Sequence, residues 1–111
     1  MQIIEWQDFE RVELRVGTLI SAAPNEKALN PAYVLQVDLG ELGIRTSSAQ
    51  LTAHYSTDEL LGRQVLCVCN FAPKRIAGVR SEVLVTGVYD SDGKVVLAGF
   101  DKPLPNGARL A

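Results

Sequence analysis

The apolar residues of this chain recur at every second position in short runs, and each run is closed by turn-forming residues. That period fits a half-buried strand and does not fit a helix. Val12, Leu14, Val16, Thr18 and Ile20 alternate with Glu13 and Arg15, which predicts a strand with those five facing inward and a bulge or sharp bend at Gly17. Tyr33, Leu35, Val37 and Leu39 form the inward face of a second run. Ile44 to Leu51 makes a third, although Arg45-Thr46-Ser47-Ser48-Ala49-Gln50 is nearly all polar. Gln64 to Phe71, the most hydrophobic run, reads as the central strand; Ser81 to Tyr89 and Val95 to Ala98 follow, joined by the turn Asp90-Ser91-Asp92-Gly93. Pro24 to Pro31 reads as a loop. Two short helical pieces complete the pattern: Trp6 to Glu10, and a segment in which Ser56 and Glu59 form a capping box and Gly62 a stop.

Strand, strand, strand, short helix, then further strands is the order of an all-β, five-stranded Greek-key barrel with a helix between its third and fourth strands, the OB-fold arrangement. At 111 residues, without repeats or linkers, the chain is expected to form one domain. The net charge of −2 argues against a protein that coats DNA indiscriminately, because such binding needs an excess of Lys and Arg. No apolar run reaches the roughly 18–20 residues of a membrane span, so no membrane insertion is expected. The start, Met1-Gln2-Ile3-Ile4-Glu5-Trp6, does not read as a signal peptide, and the expected location is cytoplasmic. Cys67 and Cys69, two apart in an extended run, point to the same side and read as reduced, buried thiols. With one distant histidine, His54, they make a poor zinc set, and no metal or cofactor is expected. No nucleophile–base pairing or phosphate-cradling glycine loop is present, so the chain reads as no enzyme, with His54 a surface residue before the second helix.

The near-neutral total hides a bias along the chain. Residues 1–42 carry seven acids and three bases, residues 43–81 five bases and two acids, and residues 82–111 four acids and three bases. Basic groups concentrate at Arg45 to Gln50 and at Asn70 to Ser81, where Lys74, Arg75 and Arg80 fall within seven positions of a loop shaped by Pro73 and Gly78. Charge by itself also fits a solvated stretch of loop. Ser81 adds a hydroxyl able to bond a phosphate or ribose oxygen, and arginine can grip phosphate with two hydrogen bonds. Glu82 opposes a polyanion unless it pairs with Arg80 or bonds a base amino group or a ribose hydroxyl. The aromatic candidates for base stacking, Phe71, Tyr55 and Tyr33, all have ordinary core readings, so recognition by shape and backbone is expected to dominate.

Phe9 to Gly17, followed by Thr18-Leu19-Ile20, resembles the opening strand of the tRNA-binding domain found as stand-alone dimers and at the C-terminus of some methionyl-tRNA synthetases. Lys74 to Glu82 resembles that family's basic loop running into a serine-bearing strand. Ser47-Ser48-Ala49-Gln50, Ser81-Glu82-Val83-Leu84-Val85 and Pro105-Asn106-Gly107 are similar to one branch of it, the CsaA proteins, with Glu82 standing where many tRNA-binding relatives have an uncharged residue. The resemblance implies an OB barrel and a homodimer. It implies binding of tRNA by shape and, for the CsaA branch, a chaperone role in protein secretion through unfolded precursor proteins and the SecA motor. The alternative is a secretion chaperone with no physiological RNA role. Carried onto this chain, the implied RNA surface is Arg45, Ser47, Ser48, Gln50, Asn70, Lys74, Arg75, Arg80 and Ser81. The dimer-forming extensions are residues 1–11 and 103–111, whose apolar Ile3, Ile4, Trp6, Phe9, Leu104 and Leu110 lie outside the barrel strands and need burial.

Overall fold

A computed structural model describes residues 1–110; Ala111, the end of the second extension, lies outside the described residues. The chain runs through α1 (Trp6–Glu10), β1 (Leu14–Pro24), β2 (Tyr33–Asp38), a 3-10 turn (Gly40–Leu42), β3 (Ile44–Ala49), α2 (Thr57–Leu60), β4 (Gln64–Val68), β5 (Lys74–Ile76), β6 (Val79–Ser81), β7 (Leu84–Val85), β8 (Gly87–Tyr89) and β9 (Val95–Leu97). Five strands form an antiparallel sheet in the order β3-β2-β1-β4-β7, curled into a nearly closed barrel of OB type. The long β1 takes the centre and β4 flanks it, so the most hydrophobic run is not the central strand. Strand β1 reaches two neighbours because it bends: Leu14–Thr18 pair with β4, and Thr18–Pro24 pair with β2.

The inward phase of β1 is the reverse of the one expected from its alternation. Gly17 stands opposite Val65 and Leu19 opposite Val37, both fully buried, so Gly17 and Leu19 face the barrel interior. Leu14, Val16 and Thr18 lie on the other face; Val16 is buried there, outside the central cluster, while Val12 and Ile20 are exposed. A Cβ on Gly17 would collide with Val37 Cγ1 and come within 2.8 Å of Leu39 Cδ2. Glycine is what lets β1 cross the barrel this closely. The bulge falls three residues later, at Ile20, where the register with β2 slips. Strand β2 keeps the expected phase: Tyr33, Leu35, Val37 and Leu39 are buried in the central cluster with Leu19, Leu51, Leu60, Val65, Cys67, Val83 and Val85. Burying each such side chain contributes about 1.5–3 kcal/mol.

Ser56 caps α2 as its sequence predicts: Ser56 Oγ accepts from Glu59 N at 3.2 Å and Glu59 Oε1 from Ser56 N at 3.0 Å. That bond draws the Glu59 carboxyl below its usual pKa. Burial pushes the Cys67 thiol up to about 12, an inert small hydrophobe rather than a nucleophile.

The run from Ser81 to Tyr89 is three short strands rather than one, because the chain changes partner twice: β6 pairs with β5, β7 with β4 and β8 with β9. The break at Ser81–Glu82 closes the barrel against the edge strand β3. Glu82 N donates to Thr46 O at 2.8 Å, Glu82 Oε1 accepts from Thr46 N at 3.1 Å, and Ser81 Oγ accepts from Ser48 N at 3.1 Å. Side-chain oxygens here occupy places that a neighbouring strand's carbonyls would otherwise fill.

The C-terminal segment lies along the first half of β1. Gly107 N and Leu110 N donate to Val16 O and Leu14 O, Val16 N donates to Ala108 O, and the Gln64 side-chain amide clasps the Leu104 backbone, Nε2 donating to Leu104 O and Oε1 accepting from Leu104 N. At the other terminus, Ile3 is 90 % exposed and Ile4 and Trp6 63 % each, while half-buried Phe9 packs on Trp6 with ring centroids 5.4 Å apart. No helix among the described residues is long and apolar enough to cross a membrane.

Candidate nucleic-acid interface

The basic segment is a β-hairpin where a loop was expected. Ala77 and Gly78, with φ of 46° and 82°, provide the left-handed two-residue turn that joins twisted antiparallel strands, and Gly78 is suited to it. Pairing places Arg75 opposite Arg80 on one face, and Lys74, Ile76, Val79 and Ser81 on the other, toward the barrel. Two like charges directly across a ladder repel, so this hairpin face gains from an incoming anion. Arg75 donates to Gly78 O at 3.2 Å; Arg80, 63 % exposed, pairs with Glu82 at 3.5 Å. The Glu82 carboxylate, anchored to Thr46 N and turned toward Arg80, is thereby committed within the fold.

Lys27 joins this group unannounced by its sequence context, since it sits in the acidic first third of the chain. Asn25 Nδ2 donates to Ala77 O at 3.4 Å and holds the Pro24–Pro31 loop against the hairpin tip, with the Lys27 side chain over Gly78. Lys27, Lys74 and Arg75 have no ion-pair partner among the described residues. Between hairpin and barrel, on the Lys74 side, a cleft of about 350 Å³ is lined by Phe71, Lys74, Ile76 and Ser48. Phe71 is 59 % exposed, so its core reading is overturned: the strand ends at Val68 and leaves the ring outside the sheet. Tyr33 and Tyr55 keep theirs: Tyr33 OH donates to Tyr55 O at 2.8 Å, and Tyr55 OH accepts from Leu97 N at 3.0 Å.

The β3 residues are divided by the pleat. Arg45 and Ser47 stand opposite Val37 and Leu35 on the inward register, whereas Ser48 and Gln50 face out toward the hairpin. Ser47 is 2 % exposed and turned away from any surface ligand. Arg45 emerges at one end of the barrel, where its Nε donates to Leu42 O at 3.0 Å beside Glu13, Arg15, Cys69 and Asn70. Asn70 is likewise engaged: Oδ1 accepts from Glu13 N at 2.9 Å and Nδ2 donates to Arg11 O at 2.6 Å. The structure thus brings Ser48, Gln50, Lys74, Arg75, Arg80 and Ser81 to one side and leaves Arg45, Ser47 and Asn70 elsewhere. His54 is on the surface but not free, with Nε2 2.6 Å from Asp90 Oδ2.

A small OB-type barrel carrying an exposed cationic hairpin is the architecture of an oligonucleotide-binding module. The family model described as a putative tRNA binding domain matches residues 14–109. The structure of chaperone CsaA from Bacillus anthracis superposes with a TM-score of 0.94 at 43 % identity, covering 99 % of this chain and 100 % of that one. The CsaA chaperone protein of Picrophilus torridus gives 0.91 at 38 % identity, covering 98 % and 100 %. Methionine–tRNA ligase of Pyrococcus furiosus is 36 % identical over 99 % of this chain. The chain spans about 15 % of the length of the curated relatives it matches. The chain belongs to the tRNA-binding domain family, in its CsaA branch.

Proposed function

We propose that this protein binds folded RNA of the tRNA type, without catalysis, through the β5–β6 hairpin and the loop packed on its tip. One observation carries this reading: Lys27, Lys74, Arg75 and Arg80 gather on one side of the barrel, and only Arg80 has an acidic partner among the described residues. Affinity then comes chiefly from phosphate neutralisation, with Ser48 and Ser81 adding hydroxyl contacts. Fluorescence anisotropy with tRNA at several salt concentrations tests it. Four neutralised phosphates give a slope of log affinity against log salt of roughly −3 to −4, and a flat response contradicts the reading.

A second reading, a chaperone for unfolded precursor proteins acting in secretion with SecA, is supported by the CsaA chaperones this chain resembles and by its exposed apolar groups. Ile3, Ile4 and Trp6, with Leu104 and Leu110, form the surface through which residues 1–11 and 103–111 join two copies as a homodimer, leaving the cleft beside Phe71 open to extended chains. Suppression of light scattering by a denatured client at stoichiometric ratio supports this role, and its absence removes it.

A further inference from the structure

A second cleft, of about 490 Å³, opens between the end of β3 and the β8–β9 hairpin, within the size range of small-ligand sites. Its distinguishing chemistry is uncommitted. Beyond the N-terminal segment, the amides of Asn25, Gln36, Gln64, Asn70 and Asn106 all bond within the fold. Asn30 and Gln50 make no such bond among the described residues, and both stand on the rim that this cleft shares with the groove beside Lys27 and Ile76. Facing them are Tyr89, 74 % exposed, and Lys94, whose ammonium has no ion-pair partner among the described residues; Leu84 gives an apolar wall. Ser48 borders both this cleft and the one beneath the cationic hairpin, so the two are neighbours.

We propose that this cleft holds one unpaired purine nucleotide of the bound RNA, an inference that rests on the RNA-binding reading above. Carboxamides offer a donor and an acceptor side by side, the pair that reads adenine at N6 and N7. The Tyr89 ring supplies a stacking face and Lys94 a counter-charge for the attached phosphate. The ionic hairpin sets affinity, and the amide cleft adds preference for RNA that presents an unstacked base.

The test is a titration of the ¹⁵N-labelled protein with adenosine 5′-monophosphate, alongside inorganic phosphate and a parallel tRNA titration. The nucleotide moves the side-chain amide signals of Asn30 and Gln50 and the backbone signal of Tyr89, and phosphate alone does not. Gln50→Ala and Tyr89→Ala each weaken tRNA binding about fivefold or more without altering its salt slope, and Tyr89→Phe restores it. Shifts that are absent, reproduced by phosphate, or confined to residues 74–81 overturn the site. If tRNA still binds with a steep salt slope in that case, the hairpin reading survives alone; if the nucleotide binds and tRNA does not, the RNA reading falls and takes this inference with it, leaving a site for free nucleotide only.

Discussion

Two places in this molecule carry the same kinds of residue and use them in opposite ways. At one end of the barrel, Arg15 makes a forked pair with Glu13 and donates to Gly107 O, Arg45 bonds Leu42 O, and Asn70 clasps the turn between α1 and β1. Along the β5–β6 hairpin, the Lys74 ammonium has no bonding partner among the described residues, and the Arg75 guanidinium has only a turn carbonyl. The first cluster spends its donors on tying chain segments together. The second leaves the charge of Lys74 and Arg75 without an acidic partner among the described residues. Position along the chain does not distinguish them; commitment of each donor does.

That contrast is open to direct attack. Replacing Lys74 and Arg75 together by glutamate is expected to weaken tRNA binding about a hundredfold, two phosphate contacts being lost and repulsion added, with the thermal midpoint little changed. A comparable loss of folding stability would mean the hairpin charges are structural. Asn70→Ala is expected to do the reverse: it removes two hydrogen bonds and costs about 1–2 kcal/mol in urea unfolding, while the salt slope for tRNA is retained.

The smallest effect concerns Asp90, a committed acid. Its Oδ1 accepts from Asp92 N and Lys94 N while Oδ2 meets His54. The Lys94 backbone bond first, and His54 after it, hold its carboxyl below the ordinary value. A carboxylate with a lowered folded pKa stabilises above the unfolded value of about 3.9 and loses that contribution as pH falls through the lower folded value. Wild type should therefore lose stability on acidification below about pH 4 more steeply than Asp90→Asn, by a fraction of a pH unit in the acid midpoint. Superimposable acid limbs would show that this acid is not committed.

Much of the barrel was legible in the sequence where one physical signal acted alone. Strand β2 buries an unbroken apolar face, Tyr33, Leu35 and Val37, against an outer face that carries Gln36 and Asp38, and Ser56 and Glu59 cap α2 by purely local bonds. Strand β1 misled because apolar residues on its outer face are also buried, and because the interior position is Gly17, which has no side chain to reveal it. At the interface, the density of Lys74, Arg75 and Arg80 was readable. The division of Arg45 and Ser47 from Ser48 and Gln50 follows from the two-residue pleat and became definite once β3 was paired with β2. Lys27 and Asn70 were not readable, since each takes its role from groups some fifty residues away, over Gly78 and at Arg11 and Glu13.

The separation of spare from committed cations is tested most directly by comparing two single substitutions in the salt dependence of tRNA binding. Lys74→Ala should reduce the slope by about one unit, and Arg45→Ala should leave it unchanged. Equal reductions in the two variants, or none in either, would contradict the account.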